Sequence, residues 1–186
     1  VFGFKLVSWF GANPQQRLPE LFGTSMLFDI QNGKPIAVIN AGALTGMRTG
    51  AAAAVGAKYL ARADASSLLM VGTGMLAAYS IAAILLACPR IGSVNLANPH
   101  HPERAEEKLN QIKDQVDQLL AACGEERCVK YAAADNLANA ARKAHIIVTA
   151  TPSRTPLIKR EWVMPGAHIS CLGADMAGKQ ELDSKI

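Results

Sequence analysis

The chain has 186 residues, with 19 Lys+Arg against 15 Asp+Glu for a net charge of +4; half of its residues are hydrophobic and 18% are charged. That balance excludes disorder, which needs low hydrophobicity and high charge, and no short repeat supports a collagen-like or low-complexity fibre. No run of Lys/Arg exceeds two residues, so no nucleic-acid partner is expected; a modest positive charge suits anionic small molecules.

Residues 1–40 read as β-rich. Apolar runs at Phe4–Trp9, Ser25–Ile30 and Pro35–Ile39 are separated by turn signals at Asn13-Pro14 and Asn32-Gly33, the latter a hairpin signal. A helix is expected over about 46–63, with Thr45 as its N-cap. From Ser66 the rhythm becomes strand, helix, strand, helix. Strands are expected at Ser67–Val71, Ser93–Ala97, Cys128–Ala132, Ile146–Ala150 and His168–Leu172. Helices are expected at Met75–Cys88, Pro102–Cys123 and Asn136–Ala144. In the second of these helices Ala105, Leu109, Ile112, Val116, Leu119/Leu120 and Cys123 form one apolar face. The alternation predicts an α/β fold, a Rossmann-like parallel sheet with helices on both faces.

Residues 68–88 are almost wholly apolar over a bilayer-length stretch, but Gly72 and Gly74 interrupt it and Pro89 ends it. A buried strand, a tight turn and a buried helix are expected, and no membrane partner. The opening VFGFKLVSWFGA has neither an initiator Met nor the basic start of a signal peptide. Both ends read as the middle of something longer. Cys88, Cys123, Cys128 and Cys171 form no CxxC pair and no zinc-finger spacing, so free thiols and a cytoplasmic location are expected, without a metal.

Three segments carry chemistry. Gly72–Ala77 reads GTGMLA, a G-x-G-x-x-A dinucleotide fingerprint between a predicted strand and a predicted helix. Gly72 permits the tight turn, Gly74 lets backbone approach a pyrophosphate, and Ala77 keeps helix and strand close. Met75 and Leu76 occupy the same turn, at a helix N-terminus suited to anions. The stretch after the second strand, Asn98 to Arg104, has no acid at the position that would bind an NAD ribose. NADP is therefore favoured, with His100, His101 or Arg104 available to a 2′-phosphate; a solvated loop is the alternative for the histidines.

The second segment is LTGMRTGA, residues 44–51. An Arg in the first turn of a helix opposes the macrodipole, and a bound carboxylate or phosphate would resolve the conflict, with Arg48 offering a planar fork to a carboxylate; a surface salt bridge is the alternative. The third is LGADMAGKQEL, residues 172–182. Asp175 follows a strand at the carboxyl end of the sheet, where acid/base work is done, and a helix N-cap is the alternative. Thr149 and Thr151, at the end of the fourth Rossmann strand, are expected to line the same crevice.

Together, FKLVSWFGANP (4–14), LTGMRTGA, GTGMLA, TATPS (149–153) and LGADMAGKQEL resemble, in that order, the ornithine cyclodeaminase/μ-crystallin family. The resemblance implies a usually homodimeric NAD(P)-dependent enzyme of amino or imino acids, its cofactor domain inserted into a discontinuous α+β substrate and dimerisation domain. By that pattern residues 1–65 are part of the substrate domain and 66–172 the cofactor domain. Residues 173–186 are a catalytic loop leading back to the substrate domain. The family's chain is nearly twice as long.

The resemblance also assigns residues. Lys5 matches the family's active-site Lys and Arg48 its carboxylate-binding Arg. Thr49 looks like a cofactor contact, Asp175 matches the catalytic Asp of the cyclodeaminases, and Lys179 a cofactor-side Lys. Leu76 stands where many members have Gln, Glu20 where cyclodeaminases have Thr, and LVSWFGANP replaces a VNGHP-like segment. Those departures bear on cyclisation more than on the redox step. The expected reaction is Δ1-pyrroline-2-carboxylate-type ketimine reduction. The alternatives are ornithine cyclodeamination (a lyase activity), alanine dehydrogenase-like chemistry and a non-catalytic μ-crystallin-like binding role. The last is disfavoured because Asp175 is present, where μ-crystallin departs from the family.

Overall fold

A computed structural model describes residues 1–19 and 21–186; the expectation for Glu20 lies outside the described residues. The chain forms two compact units, Val1–Arg48 and Thr49–Ile186.

In the first unit β1 (Phe2–Trp9), β2 (Leu21–Phe28) and β3 (Pro35–Asn40) form an antiparallel sheet in the order β1-β2-β3. The β2–β3 connection is the hairpin expected from Asn32-Gly33. Gly33 takes φ +74, the left-handed conformation a side chain disfavours, and the Asp29 carboxylate accepts the Gln31 amide across the turn. β1 pairs with β2 in a register that places Lys5 opposite Ser25. Phe2 and Phe28 stack at 5.2 Å between ring centroids.

The helix α1 spans Gly42–Leu60, four residues earlier than expected. Asn40 Oδ1 accepts the Gly42 amide and opens the helix. Thr45 is not the N-cap: it lies inside the helix, where its hydroxyl donates back to Ala41 O at 2.7 Å. The early start also removes the macrodipole argument for Arg48, which stands in the second turn, beyond the unpaired first-turn amides.

The second unit holds β4 (Ser67–Val71), β5 (Ser93–Ala97), β6 (Lys130–Ala133), β7 (Ile146–Thr149) and β8 (His168–Cys171), all parallel, in the order β6-β5-β4-β7-β8. The helices are α2 (Leu76–Ala87), α3 (Glu103–Ala122) and α4 (Leu137–Lys143). The period-2 alternation of β4 divides the core. Leu68 and Met70 join Ile81, Leu85, Ile112 and Val116 from α2 and α3 on one face. Leu69 and Val71 join Ala141, Ile147 and Ile158 on the other. Ala53, Ala54 and Ala57 of α1 pack into the first cluster. At Gly50, a Cβ would lie 2.5 Å from Tyr79 O, so only glycine allows α1 and α2 to approach this closely.

The Arg127 guanidinium donates to Leu85 O, Pro89 O and Ile91 O, satisfying carbonyls at the C-terminal end of α2 and just beyond it. Among the described residues, no helix is long and apolar enough to cross a membrane.

Candidate functional site

Strand order reverses direction at β4. Its chain successor β5 lies on one side and β7 on the other. In open parallel sheets a ligand binds outside the carboxyl ends of the strands at such a switch point. The loops that surround this position are Gly72–Met75 after β4, Asn98–Pro102 after β5, Ala150–Ser153 after β7 and Leu172–Asp175 after β8.

The loop after β4 has the form a dinucleotide requires. Gly72 takes φ +111, and a Cβ there would lie 2.5 Å from Ala150 O. Its amide donates to Ala97 O at 2.8 Å, tying the turn to β5. Gly74 has no atom within 4 Å of an added Cβ, so its outer face is open space. Ala77 is buried where α2 meets the sheet. Met75 is exposed, Leu76 half-buried, and the first turn of α2 carries no acid. An exposed glycine turn feeding a helix N-terminus fits a pyrophosphate.

Asn98 holds this loop to the next one. Its amide nitrogen donates to Thr73 Oγ1 at 3.0 Å and its carbonyl oxygen accepts the His101 amide at 3.1 Å. Lys108 Nζ, on α3, reaches Thr73 O at 3.4 Å. The His101 ring stands 3.3 Å from Glu103, so an acid accompanies the histidines.

The wall after β7 and β8 is organised by a residue that sequence reasoning missed. Glu181 is 0% exposed. Its Oε1 accepts from the Thr151 amide and hydroxyl, both at 2.7 Å. Its Oε2 accepts from Thr149 Oγ1 at 2.9 Å, the Gly173 amide at 2.8 Å and the Cys171 thiol at 3.2 Å. Burial, with this carboxylate beside it, pushes the Cys171 thiol up. Thr149 and Thr151 were expected to face the cofactor. Instead the hydroxyl of Thr149 is fully buried and committed to Glu181, and Thr151 spends both its amide and its hydroxyl there.

Asp175 is exposed and pairs with Lys179 Nζ at 2.7 Å. That hydrogen bond holds its carboxyl below the usual carboxylate range, which favours a base over a proton donor. No helix follows it. Residues 176–178 form a turn closed by the Lys179 amide on Met176 O, with Gly178 at φ +83, so the N-cap alternative falls away.

Lys5 and Arg48 belong to the first unit and Asp175 to the second. Lys5 Nζ donates to Thr45 Oγ1 at 3.2 Å, which aims an exposed ammonium from β1 at the first turns of α1. Arg48 is exposed, with no ion pair among the described residues. Thr49 is buried. Among the described residues no cluster of His, Cys, Asp and Glu could hold a metal.

A parallel sheet in this order, with an open glycine turn at its switch point, is a Rossmann-like α/β architecture. The profile of the ornithine cyclodeaminase/mu-crystallin family matches residues 1–186, and the chain belongs to that family. An alanine dehydrogenase of Archaeoglobus fulgidus is 34% identical over 184 residues, covering 99% of this chain and 52% of its own. A Delta(1)-pyrroline-2-carboxylate reductase of Paracoccus denitrificans is 30% identical, covering 100% of this chain and 54% of its own. The solved Delta(1)-pyrroline-2-carboxylate reductase of Thermococcus litoralis, in complex with NADH and L-proline, superposes with a TM-score of 0.86 at 27% identity, over 98% of this chain and 53% of its own. The chain thus spans about half the length of the curated relatives it matches.

Proposed function

We propose that the protein is an NAD(P)-dependent oxidoreductase of α-amino or cyclic α-imino acids, acting as a Δ1-pyrroline-2-carboxylate-type ketimine reductase. The observation that carries the reading is the Gly72–Gly74 turn: strained where it must fold back, open where a pyrophosphate would lie, and placed at the switch point. The reductase of Thermococcus litoralis with NADH and L-proline supports the choice of substrate.

When bound, the dinucleotide supplies the hydride. Gly72, Gly74, Met75 and Leu76 form its cradle, with Thr49, Asn98 and Lys179 as further contacts. Thr149 and Thr151 act through Glu181 on the shape of the wall. Arg48 offers a planar fork to the substrate carboxylate. Lys5 holds or delivers the proton that makes an imine a good hydride acceptor. Asp175, held ionised by Lys179, acts as a base. Asn98 and not an acid stands directly after β5, so NADP(H) is accepted at least as well as NAD(H). The enzyme acts in the cytoplasm, which free thiols at Cys88, Cys123, Cys128 and Cys171 support, as the homodimer that the family implies.

The test is cofactor oxidation by the full-length protein with a panel of imino and amino acids. The expected outcome is stoichiometric NAD(P)H consumption with Δ1-pyrroline-2-carboxylate and little ammonia from ornithine. The apolar run Leu6-Val7 and Trp9-Phe10 beside Lys5 suits a compact ring better than a cationic chain. Rapid ammonia release from ornithine at catalytic cofactor levels would establish a cyclodeaminase instead. A second reading, alanine dehydrogenase-like chemistry, is favoured by the 34% identity to such an enzyme. It predicts pyruvate- and ammonia-dependent NADH oxidation.

A further inference from the structure

We propose that Glu181 is a positioning residue for hydride transfer: its buried carboxylate joins the loops after β7 and β8 into one wall and so fixes where Asp175 stands. The inference rests on the oxidoreductase reading above.

Among the described residues, no Lys, Arg or His stands within ion-pair distance of Glu181, although it is 0% exposed. A buried charge without a cation is costly, and a well-packed apolar residue usually serves a fold at least as well. The carboxylate provides something an apolar side chain does not. It accepts from two backbone amides on two different loops at once, Thr151 N–H on Oε1 and Gly173 N–H on Oε2. Three further donors, the hydroxyls of Thr149 and Thr151 and the thiol of Cys171, converge on the same two oxygens and leave none of their acceptor capacity unused.

The two loops are also pressed together. A Cβ on Gly173 would lie 2.6 Å from Thr151 N and 2.8 Å from Glu181 Cδ. Asp175 leaves this clamp two residues beyond Gly173. Glutamine has the same shape but only one acceptor oxygen. Its NH2 group would face a backbone N–H that cannot turn round, whichever way the amide is placed. One of the two loops must then let go.

The test compares the full-length protein with its Glu181→Gln variant. The expected result is a fall in kcat of about 100-fold, the scale of an ångström-sized misplacement. NADH affinity should change little, because the Gly72–Gly74 turn does not touch the carboxylate. Hydrogen exchange at the Thr151 or Gly173 amide should quicken. A lower melting temperature with kcat and exchange unchanged would overturn the proposal and leave Glu181 a fold residue only. Should the Gln variant fail to fold, Thr149→Val removes one donor and keeps the carboxylate. A partial fall in kcat at constant KM is then expected, and an unchanged kcat overturns the proposal. If the parent itself oxidises NADH with none of the imino and oxo acids of the panel, Δ1-pyrroline-2-carboxylate and pyruvate with ammonia included, the oxidoreductase reading fails, and the exchange rates alone decide the clamp: faster exchange supports it and unchanged exchange overturns it.

Discussion

Leu68, Leu69, Met70 and Val71 of β4 are fully buried, whereas Phe4, Leu6 and Trp9 of β1 are each more than half exposed. Both strands are apolar in sequence, and their surroundings differ. β4 is the central strand of a parallel sheet, with side chains from α1, α2 and α3 packed on one of its faces and α4 with the Leu157–Ile158 segment on the other. β1 is an edge strand of a three-stranded antiparallel sheet. The chain's folding energy is therefore concentrated in Thr49–Ile186. Apolar residues of the first unit contribute little to the stability of this chain, because burial and not composition supplies the stabilisation.

Two glycines two residues apart give the largest test of that contrast. Gly72→Val must take a β-branched side chain into φ +111 and against Ala150 O. It is expected to cost about 3–5 kcal/mol of stability. Gly74→Val meets nothing within 4 Å, so stability should stay within about 0.5 kcal/mol of the parent, while NAD(P)H binding is lost. Chemical denaturation and cofactor titration separate the two. An unchanged titration for Gly74→Val would refute the cofactor site.

The core comparison comes next. Leu69→Ala is expected to cost about 2–5 kcal/mol. Leu6→Ala, at a side chain 67% exposed, should change stability by no more than about 0.5 kcal/mol. Equal losses, read from denaturation midpoints of the two variants, would show that β1 is covered after all.

Legibility in the sequence follows the same division. The limits of β4 and β5 are readable to the residue, because each is a short, mainly apolar segment closed by turn residues, Gly72 after β4, Gly92 before β5 and Asn98-Pro99 after it. The face of α3 is readable from its 3.6-residue period. The start of α1 is not, because a turn of small residues carries no periodicity and the opening hydrogen bond comes from Asn40, outside the helix. Glu181 is the clearest omission. It sits in a motif whose neighbouring Asp and Lys draw the attention, and its partners are amides, hydroxyls and a thiol 8 to 32 residues away in sequence. Only the closing of β7 against β8 brings them together, and no local spacing encodes that.

Arg48 gives the next effect in size, and it concerns activity rather than stability. It has no protein ion pair to lose among the described residues, so Arg48→Ala should leave the melting temperature unchanged. If it pairs with a substrate carboxylate out of water, kcat/KM should fall by the equivalent of about 2–5 kcal/mol. Arg48→Lys should fare nearly as badly, since an ammonium lacks the two-pronged geometry. Recovery of most of kcat/KM with Lys would remove the carboxylate assignment.

The smallest effect expected is a shift in pH dependence at Asp175. The Lys179 ammonium, 2.7 Å away, holds the Asp175 carboxyl below the usual carboxylate range. A carboxyl lowered in the folded state contributes stability above its unfolded pKa and loses it as pH falls through the folded value. Lys179→Met therefore removes stabilisation at neutral pH and none in strong acid. The Asp175 side chain is 64% exposed, and exposed pairs are worth only about 0–1 kcal/mol. The carboxyl should accordingly rise by less than about one pH unit, since one unit corresponds to about 1.36 kcal/mol. A base must be ionised to act, so the acid limb of the kcat/KM profile should move upward by the same amount in Lys179→Met. In Asp175→Asn the limb should disappear along with most of the rate. An acid limb that stays in place in Lys179→Met, while an NMR titration shows the Asp175 carboxyl moving, would assign the proton transfer to another group.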